Sequence, residues 1–187
     1  MSRLILIRHG ETDWNVDGRW QGQADVPLNA RGIAQAEETA QSLSNVKFAA
    51  IYSSDLARAR QTAEVLARVA GLPLRLDPRL REIHQGAWQG LRIPEIEARY
   101  AEAFRRRREN PLTVAPPGGE TVLQVQARVL AAVADILARH PGQTVAVVSH
   151  GFALALILAH FRGVPTERVW DLIPRNGEIN VLKLEES

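Results

Sequence analysis

Cysteine is absent from the 187 residues, which excludes disulfides, thiolate metal sites and cysteine nucleophiles and favours a reducing compartment. Lysine is nearly absent too: with only Lys47 and Lys183, the other 21 of the 23 basic residues are arginine. Long apolar runs are missing, since nothing approaches the roughly 18 residues of a membrane helix and no basic-then-apolar leader opens the chain. The expected location is the cytoplasm, with no membrane contact. No basic repeat is interleaved with aromatics and the formal net charge is only +2, so nucleic acid is not an expected partner. There is no glycine-rich loop ending in Gly-Lys-Ser/Thr and no His-Glu-x-x-His helix. "DWNVDG", Asp13 to Gly18, copies the start of a calcium loop, but Ala24 stands where the bidentate glutamate belongs.

What remains is the composition of an ordinary globular chain of one-domain size, taken here as a single domain over 1–187. Four consecutive aliphatic residues, Leu4 to Ile7, read as a strand covered on both faces. Arg8, His9 and Gly10 end it abruptly. "AAIYSS", Ala49 to Ser54, "LPLRLD", Leu72 to Asp77, and Val145 to Val148 are further short strands. Between them run helices: one from an Asn29 cap to about Leu43, with Leu28 and Ile33 at its staple positions, and one with Leu56, Ala63, Leu66 and Val69 at helical spacing and Gly71 past its end. The segment Arg81 to Gly119 reads as irregular apart from a helix over Glu95 to Arg108. Thr121 and Gln124 suit a capping box for a helix ending near Arg139, and another helix spans Phe152 to Phe161 before a final alternating strand, "EINVLKLE". Strands alternating with helices predict an α/β three-layer sandwich with a mostly parallel central sheet and helices on both faces.

In such a sheet the carboxyl ends of parallel strands share one edge, where ligands bind, so His9 and His150 are expected to meet there. Gly10 lets the backbone turn closely at that point. A phosphoryl group needs positive charge on its equatorial oxygens and an in-line nucleophile. A neutral imidazole can attack with one ring nitrogen while a backbone carbonyl holds the proton on the other, and a protonated second histidine can contact the oxygens. Arg58 falls in the first turn of a helix at the same edge, whereas Arg60 points elsewhere. Glu82 could protonate the leaving oxygen, a carboxyl beside a phosphate dianion being shifted toward neutral pH. Arg79 and Arg81 offer it a plainer fate as an ion-pair partner.

Four motifs in order, "LILIRHGETDWN", "SSDLARARQTAE", "REIHQGAWQG" and "VAVVSHG", resemble the histidine phosphatase superfamily, also called phosphoglycerate mutase-like. The resemblance implies that His9 is transiently phosphorylated, that Arg8, Arg58 and His150 bind the phosphate with Gly151 beside them, and that Glu82 donates the proton. Asn15 and Gln21 match positions lining the phosphate pocket, and the resemblance implies that no metal or organic cofactor is needed. It also implies a lid over 85–118, where Trp88, Ile93, Tyr100, Phe104 and the Arg105 to Arg108 cluster would meet the substrate. That cluster suits either a second substrate charge or a solvated helix end. The short chain, with Phe152, Ala153 and Ala155 after the second histidine, favours a phosphatase of the histidine acid phosphatase type acting on small phosphorylated metabolites. A cofactor-dependent phosphoglycerate mutase is the alternative, and a catalytically dead protein-binding module the third reading. No heptad or other interface pattern suggests an oligomeric state.

Overall fold

A computed structural model describes residues 1–185, so positions 186 and 187 of the expected domain lie outside it. Its five strands are β1 (Ser2–Arg8), β2 (Ala50–Ser53), β3 (Leu74–Leu76), β4 (Thr144–Ser149) and β5 (Ile179–Leu184). They form one sheet in the order β3-β2-β4-β1-β5, parallel throughout except for β5, which runs antiparallel to β1. The mostly parallel sheet follows from the sequence pattern, and β5 supplies the antiparallel edge.

The unbroken apolar run of β1 is explained by its position. Leu4 and Leu6 face a core completed by α5 (Val122–Arg139) and α6 (Gly151–Arg162), while Ile5 and Ile7 face a second core with α2 (Ala30–Ser42) and α3 (Ala57–Ala70). Each such side chain removed from water contributes about 1.5–3 kcal/mol. Register then sets the chemistry: Arg8 lies opposite Ser149 and Ser53 opposite Val148. Residues 9, 54 and 150 therefore leave the sheet at one edge.

The helix ends obey their local chemistry. Asn29 Oδ1 accepts from Gly32 N at 2.8 Å, although Ile33, expected to staple that end, is half exposed. Thr121 and Gln124 form the reciprocal box that opens α5. Gly71 closes α3 at φ +67°. Val69 keeps helical spacing yet lies half exposed. Three features depart from the expected pattern. The polar loop after β1 contains a short helix, α1 (Asp13–Val16), whose box joins Thr12 and Asn15. The helix placed at Glu95 starts earlier, as α4 (Ile93–Glu109), because Glu95 reaches back to the amide of Arg92, and it kinks at Tyr100. A 3-10 turn over Thr166–Leu172 packs beside α6.

Candidate active site

Gly10 is required by a neighbour rather than by a turn: a Cβ there would sit 2.4 Å from Gly32 O, so the loop after β1 lies directly on the backbone of α2. Thr62 Oγ1 accepts the Gly10 amide at 3.1 Å while donating to Arg58 O. His9 is thereby fixed at the sheet edge, 3 % exposed, with Nδ1 2.6 Å from Gly10 O. A ring nitrogen facing a carbonyl must carry the proton, which leaves Nε2 with a free lone pair. Burial, then the charges of Arg58 and Arg8, hold His9 well below the usual imidazole range, so it is unprotonated.

The two arginines converge on it. Arg58 is 1 % exposed, and its terminal nitrogens donate to Gly22 O and Ala24 O, each at 2.7 Å. Among the described residues no carboxylate is in ion-pair contact with it, and burial pushes it down to about 10, opposed by Glu82 and Asp25. Arg8 donates to Pro174 O at 2.6 Å. Both leave their Nε without a partner.

His150 adjoins His9 with ring centroids 5.2 Å apart. It is wholly buried, and its Nε2 lies 2.8 Å from Ser54 Oγ while Nδ1 has no partner. Burial, Arg58 and His9 hold it well below the usual range. A second histidine, if protonated, could contact phosphoryl oxygens, but burial and the neighbouring cations disfavour the charged form of His150.

Glu82 does not pair with its neighbouring arginines, since Arg79 is engaged by Asp77 and Asp135 and Arg81 by Asp55. Instead its carboxylate accepts from the amides of Ile83, Phe152 and Ala153 at 3.0, 3.0 and 3.1 Å. Two of these belong to the first turn of α6, whose dipole favours an anion. Arg128 holds the Glu82 backbone, donating to the carbonyls of Arg79, Arg81 and Glu82 at 2.8, 2.6 and 2.8 Å while gripping both oxygens of Glu120. Neither Arg128 nor Glu120 is marked by sequence reasoning, and no local pattern announces them.

A cavity of about 740 Å³ is lined by Arg8, His9, Asn15, Gln21, Arg58, Glu82 and Gly151 among others, and His150 lies behind that lining against the ring of His9. Asn15 Oδ1 accepts from Thr12 N and from Asn176 Nδ2. Gln21 Oε1 is buried with no partner. Asn176 also escaped sequence reasoning, although its Nδ2 donates to the carbonyls of His9 at 3.1 Å and Gly10 at 3.3 Å. The outer walls are Trp20, Ile93, Phe104, Phe152, Trp170 and Ile173. Trp88, expected to meet the substrate, is fully buried behind Trp20 and Phe104, and Tyr100 does not line the cavity. The arginine cluster splits: Arg107 is buried and donates to Val114 O, Arg108 lines the cavity, and Arg105 is an exposed partner of Glu102 and Glu109. Among the described residues no group of three His, Asp or Glu side chains could hold a metal ion, and no helix is long and apolar enough to cross a membrane.

Comparisons with known proteins agree with this geometry. Phosphoserine phosphatase 1 of Hydrogenobacter thermophilus is 38 % identical over 186 residues, covering 100 % of this chain and 88 % of that protein. A protein of Escherichia fergusonii named "Probable phosphoglycerate mutase GpmB" is 37 % identical over 188 residues, covering 100 % and 87 %. The α-ribazole phosphatase of Shigella flexneri superposes with a TM-score of 0.92 at 32 % identity, covering 98 % of this chain and 91 % of its own. The family model described as histidine phosphatase superfamily (branch 1) matches residues 4–187. With the motifs, the sheet order and full-length relatives in agreement, this chain belongs to the histidine phosphatase superfamily.

Proposed function

We propose that the protein is a metal-independent phosphomonoester hydrolase working through a phosphohistidine on His9. The observation that carries this reading is a set of partnerless buried nitrogens, Arg8 Nε, Arg58 Nε and His150 Nδ1, around a histidine whose Nε2 is free. Buried donors left unpaired cost free energy, and an incoming oxyanion relieves that cost.

The phosphoryl group is held by Arg8, Arg58 and His150, with Asn15 and Gln21 at its margin and the close-packed Gly151 beside Arg8. His9 Nε2 attacks phosphorus in line, the N–P bond forming as the P–O bond to the alcohol breaks, and Glu82 gives its proton to the departing oxygen. In the second half a water oxygen bonds to phosphorus, the P–N bond breaks, and Glu82 takes the water's proton. Burial and the two arginines disfavour the charged form of His9, so its lone pair persists to lower pH than that of an exposed imidazole, which supports the acid-phosphatase type of profile.

The segment over 85–118 acts as the lid, and the alcohol lodges between its apolar residues and the aromatic wall of Phe152 and Trp170, whose rings lie 5.7 Å apart. That lining suits small phosphorylated metabolites with an apolar face. The relatives named as phosphoserine and α-ribazole phosphatases support hydrolysis. Mutase activity is the second reading, favoured by the mutase-named relative and by buried Arg107, which has no carboxylate partner among the described residues. The dead-module reading finds no support, since every expected catalytic group is present.

The test is phosphate release from p-nitrophenyl phosphate and a metabolite panel, with and without EDTA, beside His9→Ala. Turnover that survives EDTA and vanishes with His9→Ala is expected. Loss of activity in EDTA overturns the metal-free mechanism. Phosphoglycerate interconversion that depends on bisphosphoglycerate and outpaces phosphate release selects the mutase.

A further inference from the structure

Every hydrogen around His150 can be assigned from the number of acceptors available. Ser54 is fully buried, and its Oγ has two neighbours: the amide of Leu56, which donates to it at 3.3 Å, and His150 Nε2 at 2.8 Å. The hydroxyl has one hydrogen to place. If His150 donated from Nε2, the hydroxyl hydrogen and the Nδ1 lone pair would both stay buried and unpaired, whereas the opposite tautomer leaves only Nδ1–H, which an oxyanion can accept. The hydroxyl therefore donates to Nε2, and the proton of a neutral His150 sits on Nδ1. That is the nitrogen without a partner among the described residues.

We infer that Ser54 is a positioning residue that fixes the tautomer of His150, so that a neutral imidazole presents an N–H donor to the phosphoryl oxygens. The inference rests on the hydrolase reading for its functional consequence, but not for the tautomer itself. It explains how the second histidine can serve an anion without being charged. Its surroundings oppose protonation: Arg58 reaches it from α3, Arg8 and the imidazole of His9 from β1, and Arg128 from α5, all disfavouring the charged form. The carboxyl group of Glu82 lies against the first turn of α6, where the amides of Phe152 and Ala153 donate to it. The two histidines then share one tautomer for opposite ends. A carbonyl holds the proton of His9 on Nδ1 to leave Nε2 nucleophilic, and a serine hydroxyl keeps the proton of His150 on Nδ1 to make that atom a donor.

Nitrogen-15 NMR of the imidazoles in the wild-type protein tests the tautomer directly. Pyrrole-type Nδ1 and pyridine-type Nε2 signals for His150 are expected, and the reverse pattern overturns the inference whether or not the protein is a phosphatase. Ser54→Ala tests the consequence. With the hydroxyl gone, the proton of neutral His150 is free to move to Nε2 and the donor is lost. The variant is expected to lose kcat by about tenfold near neutral pH. The gap should narrow as the pH falls, because the imidazolium carries a hydrogen on both nitrogens. Ser54→Thr, which keeps a hydroxyl, should restore both the Nδ1–H signal and the wild-type pH profile. A deficit for Ser54→Ala that is constant across pH, or none at all, overturns the positioning role. Absence of phosphate release from the wild type would strike the hydrolase reading alone, with the NMR result still standing.

Discussion

Two buried histidines held neutral make stability depend on pH in a way that can be worked out in advance. His9 and His150 both sit well below the ordinary imidazole range when folded, whereas in the unfolded chain each titrates near pH 6.5. Below that value the unfolded state binds two protons that the folded state does not, so folding stability falls as pH falls. The stabilisation is present in full above about pH 6.5 and is lost progressively toward the folded-state values. The slope is about 1.4 kcal/mol per pH unit for one such group. It holds in full only while the pH stays above both folded-state values. For the pair, going from about pH 7.5 to about pH 5.5 removes about 2.7 kcal/mol, which is a drop of roughly 5–10 °C in Tm for a chain of this size. Urea unfolding at stepped pH measures the quantity. The comparison is with a double variant carrying His9→Gln and His150→Gln, since the difference between the two curves cancels the contributions of His84, His140, His160 and the carboxylates. Curves that run parallel through this window would refute the reasoning, for then neither histidine is held neutral by the fold.

Three further outcomes are expected. Glu82→Gln should lower single-turnover phosphate release by about 10²–10⁴-fold; rapid-quench measurement with less than tenfold loss would remove Glu82 from proton transfer. Trp170→Ala, which strips one face from the outer cavity, should raise KM for 2-phenylethyl phosphate while leaving that for ethyl phosphate nearly unchanged, and an equal rise for both would dissociate the aromatic wall from the alcohol. Asn176→Ala frees the carbonyls of His9 and Gly10 and should reduce kcat several-fold, while the inhibition constant of inorganic phosphate stays within about twofold because the arginines are untouched; a weakened phosphate affinity would place Asn176 in anion binding instead.

The sheet was legible because β1 and β4 are continuous apolar runs, a pattern that only double-sided burial produces. The same logic located Arg8, His9, Arg58 and His150, since each follows a strand or opens a helix at one edge. Legibility failed where a residue matters through a distant partner. Asn176 touches the nucleophile loop across 166 and 167 intervening sequence steps, and Arg128 braces Glu82 from a helix 46 positions on. Neither has a periodicity or spacing that differs from an ordinary surface polar residue. Trp88 misled for the complementary reason: an aromatic in a loop can equally well line a cavity or support its wall, and here it supports Trp20 and Phe104.

The position of β1 has a consequence for how the protein is made. It precedes the other four described strands, yet both of its neighbours, β4 and β5, come after β2 and β3. For most of synthesis the segment "LILI" therefore has no strand to pair with, and pairing of such distant segments is slow. An emerging chain must carry this apolar strand unpaired until β4 and β5 have left the ribosome, and exposed segments of that kind are prone to aggregate. His9 follows directly on that strand, and the turn that clasps this loop, Pro174 to Gly177, emerges after β4. A chain halted before that turn carries every motif of the amino-terminal half and lacks the contacts that hold the loop of His9 in place.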